Sequence, residues 1–201
     1  MEHGVNVSLP YDERAAEMKC QELAKQPYFD PEMVVGRPWR VYYSWNMKFE
    51  TKCLDMYFKQ ATPAIIRRIY NDMLEYLIEQ PTWGAASLLV AMGHNRKELL
   101  LFDDQGPAGR FVGVPDVMRD GNISPIKNSV PLLKFQMKLI ENGRFLVTQD
   151  CQVGIGELSV RLEDEPTRAE ILSVAKSLGH IFGDGSEACV QDFVKSDNIL
   201  A

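Results

Sequence analysis

Cysteine is the residue type in this sequence with the most chemistry to offer. The four cysteines, Cys20, Cys53, Cys151 and Cys189, are widely spread. No C-x-x-C or C-x-x-H pair suggests zinc or a redox dithiol. Four cysteines allow three disulfide pairings, or none. His94 lies between Gly93 and Asn95 in an apparent turn, the setting of an ordinary surface residue. His180 follows a helical stretch at its C-terminal end, where partial positive charge is favoured without any function. The carboxylate run Glu163-Asp164-Glu165 precedes a helix N-terminus, where negative charge is stabilising in its own right. No G-x-S-x-G, P-loop or G-x-G-x-x-G occurs, and Gly154-Ile155-Gly156 lacks both the third glycine and the following helix. No catalytic residue and no metal ligand is therefore assigned.

The elements that position these residues are legible from periodicity. In residues 132–179, Leu133, Phe135, Met137 and Leu139 alternate with Lys134, Gln136 and Lys138, the period of a half-buried strand. Asn142-Gly143 is the preferred pair for a two-residue type I′ turn, and 144–151 returns as a second strand. Gly154-Ile155-Gly156 permits another reversal. Residues 157–162 alternate again, with Leu158, Val160 and Leu162 on one side. The period then changes: Thr167-Arg168-Ala169-Glu170 is a capping box, Ile171, Leu172, Ala175 and Leu178 form one helical stripe, and Gly179 suits the C′ position. Upstream, 39–46 puts Trp39, Val41, Tyr43 and Trp45 on one face. Residues 52–59 place Leu54, Met56 and Phe58 opposite Cys53, Asp55 and Tyr57. Stretches 83–93, 97–102 and 110–114 read as short strands. Residues 62–80 stay open: Thr62-Pro63 starts a helix well and apolar residues recur at helical spacing, yet parts tolerate β structure. A short helical stretch is expected at 11–24. About eight strands and one firm late helix predict an all-β barrel or sandwich.

At 201 residues the chain suits one domain with a sizeable core. Its net charge of −6, with 22 scattered Lys and Arg, argues against nucleic acid as the main partner. No apolar run approaches the ~20 residues of a membrane helix. The start, MEHGVNVSLPYDER, has neither basic nor apolar signal regions, which taken alone says cytoplasmic. The cysteines and two N-x-S triplets, at Asn6 and Asn122, point instead to a secretory route. The expectation is a secreted, extracellular protein whose leader is not in this chain, and a cytoplasmic one if the native chain begins at Met1.

The glycine-then-tryptophan opening of the first strand, late antiparallel strands, a helix after the last strand and four spaced cysteines together resemble the lipocalin family, more narrowly its insect bilin-binding, insecticyanin and apolipoprotein D branch. The family's Gly-x-Trp is here Gly36-Arg37-Pro38-Trp39, one residue longer. Its late arginine, which covers the barrel bottom against that tryptophan, matches Arg161; alignment on Glu165-Pro166 puts Asp164 there instead. A middle turn motif is replaced by Glu141-Asn142-Gly143. The resemblance implies an eight-stranded antiparallel up-and-down barrel with one C-terminal α-helix over residues 32–182, an N-terminal arm (1–31) and a C-terminal tail (183–201). It implies the disulfides Cys20–Cys151 and Cys53–Cys189, and structural roles for Gly36, Trp39 and Arg161.

Such a barrel encloses one small ligand. The expected wall is Val41, Tyr43, Trp45, Leu54, Met56, Phe58, Phe135 and Met137, with methionines to adapt its shape. The implied function is transport or storage of a small hydrophobic molecule, a bilin, carotenoid, retinoid or lipid, with no required cofactor and no catalysis. His94 at a barrel mouth offers the sharper alternative of a haem ligand. A cysteine nucleophile would need a thiol left unpaired. Two rivals differ in class: a barrel enzyme on an enclosed lipid, with a titratable Asp150 or Tyr43 in the pocket, and a filled barrel that binds proteins through its loops. Oligomeric state is not legible.

Overall fold

The computed structural model describes residues 12–48, 53–120 and 125–193; both N-x-S triplets and the outer parts of the expected arm and tail lie outside the described residues. The strands are β1 (Pro38–Trp45), β2 (Asp55–Gln60), β3 (Ala86–Met92), β4 (Lys97–Asp103), β5 (Arg110–Pro115), β6 (Leu133–Ile140), β7 (Phe145–Asp150), β8 (Gly156–Arg161) and β9 (Ser186–Glu187). Strands β1 to β8 run up and down, each antiparallel to its neighbour, and β1 bonds both β8 and β2. The result is the expected closed eight-stranded barrel, whose closure removes sheet edges. Strand β9 adds a short pairing beside Tyr43 and Ser44 of β1.

Among the described residues five α-helices decorate it: α1 (Glu13–Leu23), α2 (Pro31–Val34), α3 (Pro63–Met73), α4 (Arg168–Ser177) and α5 (Gly179–Phe182). The ambiguous stretch 62–80 is thus helical in its first part. Thr62 caps it by accepting from the Ile65 N–H, and Pro63 occupies the first turn. Ile69, Met73 and Leu77 pack on the outer faces of β3 and β4 through Leu89, Leu100 and Phe102. Arg68 anchors the helix to the barrel wall, bonding Glu98 at 2.6 Å and buried Asp116 at 2.9 Å. Late in the chain, Thr167 and Glu170 form the predicted reciprocal capping box of α4. Ile171, Val174 and Ala175 cover the outward face of β7 and β8 at Phe145, Val147, Leu158 and Val160.

Two turn expectations are corrected. The β6–β7 connection is not a two-residue type I′ turn. The strands separate after the Ile140–Phe145 pair, and Glu141, Asn142 and Gly143 all take positive φ. Gly179 does not terminate the late helix in a left-handed conformation. The chain continues into α5, and Gly183, at φ +75°, makes the stop.

One barrel end is plugged. Gly36, at φ +79°, turns the chain from α2 into β1 while its N–H bonds Phe58 O at 3.0 Å. Phe29, Met33 and Val35 pack against the interior core. Trp39 Nε1 donates to Val34 O at 3.1 Å. The Arg161 guanidinium lies 4.8 Å over the Trp39 ring and donates to Met33 O at 2.9 Å. Asp164 sits 3.7 Å from Arg161. An Arg161→Ala variant loses the ring contact and a charge-assisted bond, so it is expected to be about 1–2 kcal/mol less stable by urea unfolding. Lysine is expected not to restore this, because a point charge cannot lie flat on the ring while donating sideways.

Two disulfides join the elements, Cys20–Cys151 and Cys53–Cys189, the pairing that the resemblance implies. The first fastens α1 to the end of β7; beside it Arg110 pairs with Glu17 at 2.9 Å. The second fastens the segment before β2 to the tail. There Arg40 grips Asp55 through two bonds, at 2.7 and 2.9 Å, and also reaches Asp192. No described helix is long and apolar enough to cross a membrane.

Candidate ligand cavity

Opposite the plug, the barrel holds a cavity of about 570 Å³ that opens between the β1–β2, β3–β4 and β7–β8 connections. Its wall begins with the alternation leading into β2, where Leu54, just before the strand, and Met56 and Phe58 within it point inward. Val90 and Met92 of β3 and Leu99 of β4 extend the apolar surface, and Phe135 and Met137 of β6 close it from the side. Five of the residues expected on the wall therefore meet there.

The other three do not, and for Tyr43 and Trp45 the cause is a β-bulge. Val41 pairs with Ser159 but Tyr43 pairs with Leu158, so Tyr42 is an extra residue in β1. One added residue reverses which side chains face inward. Trp39 and Val41 face the interior, with Val41 in the packed core rather than on the cavity wall. Tyr43 and Trp45 lie outside the barrel: Trp45 stacks on Phe182 at 4.5 Å, and the Tyr43 hydroxyl accepts from the Gly185 N–H at 3.1 Å. Tyr43 is thus not a pocket group of the kind an enzyme on this barrel would need.

The wall of β7 and β8 differs in chemistry. Thr148 and Glu157 are direct cross-strand partners, and both line the cavity together with Asp150. Asp150 Oδ1 accepts from the Gln152 and Val153 N–H groups at 2.8 and 2.9 Å, which fixes its carboxylate on the turn. Glu157 is half-buried and makes no hydrogen bond or ion pair with a described residue, and the Thr148 hydroxyl is buried without a partner among the described residues. Burial first, and the nearby Asp150 charge second, push the Glu157 carboxyl up from 4.5 to about 7. His94 and Lys97 stand exposed at the rim, on the β3–β4 side.

Sequence reading put Leu158 and Val160 on the apolar face of β8 and gave Glu157 no role. The signal was present in the alternation: Thr148 and Asp150 share one face of β7, and Glu157 and Ser159 one face of β8. Alternation alone does not say which face is interior, because α4 buries the outer side of these strands just as fully. No protein-family model, no curated protein and no solved structure matches this chain.

Proposed function

We propose that this protein binds and carries a small hydrophobic molecule in its barrel, as a divergent lipocalin of an oxidising, extracellular compartment. The observation that carries the reading is the cavity of about 570 Å³, apolar along β2, β3, β4 and β6 and plugged at one end. That volume falls within the range usual for small-molecule sites, roughly 300–1,000 Å³. The two long-range disulfides suit a secreted carrier, since such bonds persist where thiols are not kept reduced. Bilins, carotenoids, retinoids and lipids are the cargo classes that the family resemblance offers.

Fluorescence titration of the purified protein with biliverdin, retinol and a fatty acid tests the proposal, alongside native mass spectrometry of protein from its own source. Saturable one-to-one binding of at least one hydrophobe is expected. Leu54 is half-buried on the wall near the mouth, so Leu54→Trp fills the entrance. It is expected to weaken that binding by about tenfold or more with the far-UV spectrum retained. Wild-type protein that takes none of these ligands and carries no extra mass would remove the carrier reading.

A further inference from the structure

The cavity is two-sided in chemistry, and its acidic side lacks a counterpart. Around the barrel, β7 and β8 stand opposite β3 and β4, so Thr148, Asp150 and Glu157 face an apolar wall that includes Val90, Met92 and Leu99. A carboxylate held among apolar groups is costly unless it is paired. Half-buried Glu157 has no partner among the described residues, and the Thr148 hydroxyl, nine-tenths buried, has none either. Asp150 Oδ1 is occupied by backbone N–H groups, and no described residue bonds its Oδ2. Three acceptors on one wall match the three donors of an ammonium group, while the opposite wall suits an apolar body.

We infer that the cargo is an amphipathic amine, its ammonium seated on Glu157, Asp150 and Thr148 and its apolar part laid against β2, β3 and β4. This rests on the carrier reading and narrows it. A fatty acid, by contrast, would bring a third negative charge to this wall. Among the described residues, the charged or titratable groups lining the cavity with Glu157 are Asp150, on its own wall at the end of β7, and His94 and Lys97 opposite, at the rim of β3–β4. Loss of the Glu157 charge in acid is therefore expected to weaken amine binding, with Asp150 retaining part of it.

The test uses the neutral dye N-phenyl-1-naphthylamine as the bound reporter and decylamine, decanol and decanoate as competitors of matched chain length. Near pH 8, decylamine is expected to displace the dye about tenfold more tightly than decanol, with decanoate weakest. In Glu157→Gln the amine-to-alcohol ratio should fall toward one, and Asp150→Asn should lower it in part. The ratio in the wild type should also shrink toward pH 5. Equal displacement by amine and alcohol, or a ratio unchanged by Glu157→Gln in protein that melts cooperatively, overturns the amine assignment and leaves the carrier reading standing. If the dye and every competitor fail to bind, the carrier reading falls and takes this assignment with it.

Discussion

A Cys20→Ser/Cys151→Ser protein is expected to melt about 8–16 °C below the wild type. The bonded cysteines are 131 residues apart. Cys53–Cys189 already joins distant parts of the chain, so the route closed by Cys20–Cys151 shortens to roughly 70 residues, read from the four positions. In the chain-entropy model a loop of that size still corresponds to about 4 kcal/mol. At 2–4 °C per kcal/mol for a chain of this length, the stated shift follows. The native state loses little else locally: α1 keeps Ala16 and Leu23 buried, and Arg110 keeps Glu17. Thermal unfolding by circular dichroism, with the second disulfide intact, measures it. A shift under a few degrees would mean that α1 is held by packing and by the Arg110–Glu17 pair, with the covalent bond redundant.

Glu157→Gln is expected to raise the stability of the ligand-free protein, and to do so only above acidic pH. The folded chain holds the Glu157 proton up to about pH 7, against 4.5 for an ordinary glutamate. The folded state therefore binds more protons than the unfolded state between those values, and stability falls as pH rises through that window. The contribution is fully present below pH 4.5 and lost above about 7. Each unit is worth about 1.4 kcal/mol, and water in the open cavity offsets part of it, leaving about 2–3 kcal/mol. Glutamine carries no charge to desolvate, so near pH 8 the variant should melt about 5–10 °C higher than the wild type, and near pH 4 the two should coincide. Parallel melts across pH 4–8 decide it. A destabilised variant at pH 8 would show that a described or bound group compensates the carboxylate. Stability given up at this one position is what a site complementary to a cationic ligand entails, which links this melt to the amine competition.

Much of the architecture is legible in the sequence. Strands β2, β6 and β8 are legible by the alternation that the pleat imposes, β3, β4, β5 and β7 as short runs between turn signals, and the capping box at Thr167 and Glu170 because a helix start is a local hydrogen-bond pattern. The eighth, β1, was legible as a strand but not in its facing. Nothing in the run Val41-Tyr42-Tyr43 marks the bulge, since all three are β-formers; the slip is set by how β1 matches β8. The short helix α5 was missed, because Gly179 satisfied the stop signal locally while Ile181 and Phe182 gained burial by continuing.

The sequence by itself determined the eight barrel strands, the late helix and the apolar rows that became five of the cavity residues, because these follow from neighbours a few positions apart. Which face of each strand looks inward was decided only in three dimensions. In β7 and β8 both faces are covered, one by the barrel interior and the other by α4, so hydrophobicity carries no direction there. Thr148, Asp150 and Glu157 became a cavity wall because the more apolar face turned outward to meet a helix, and that choice belongs to the packing of the whole chain.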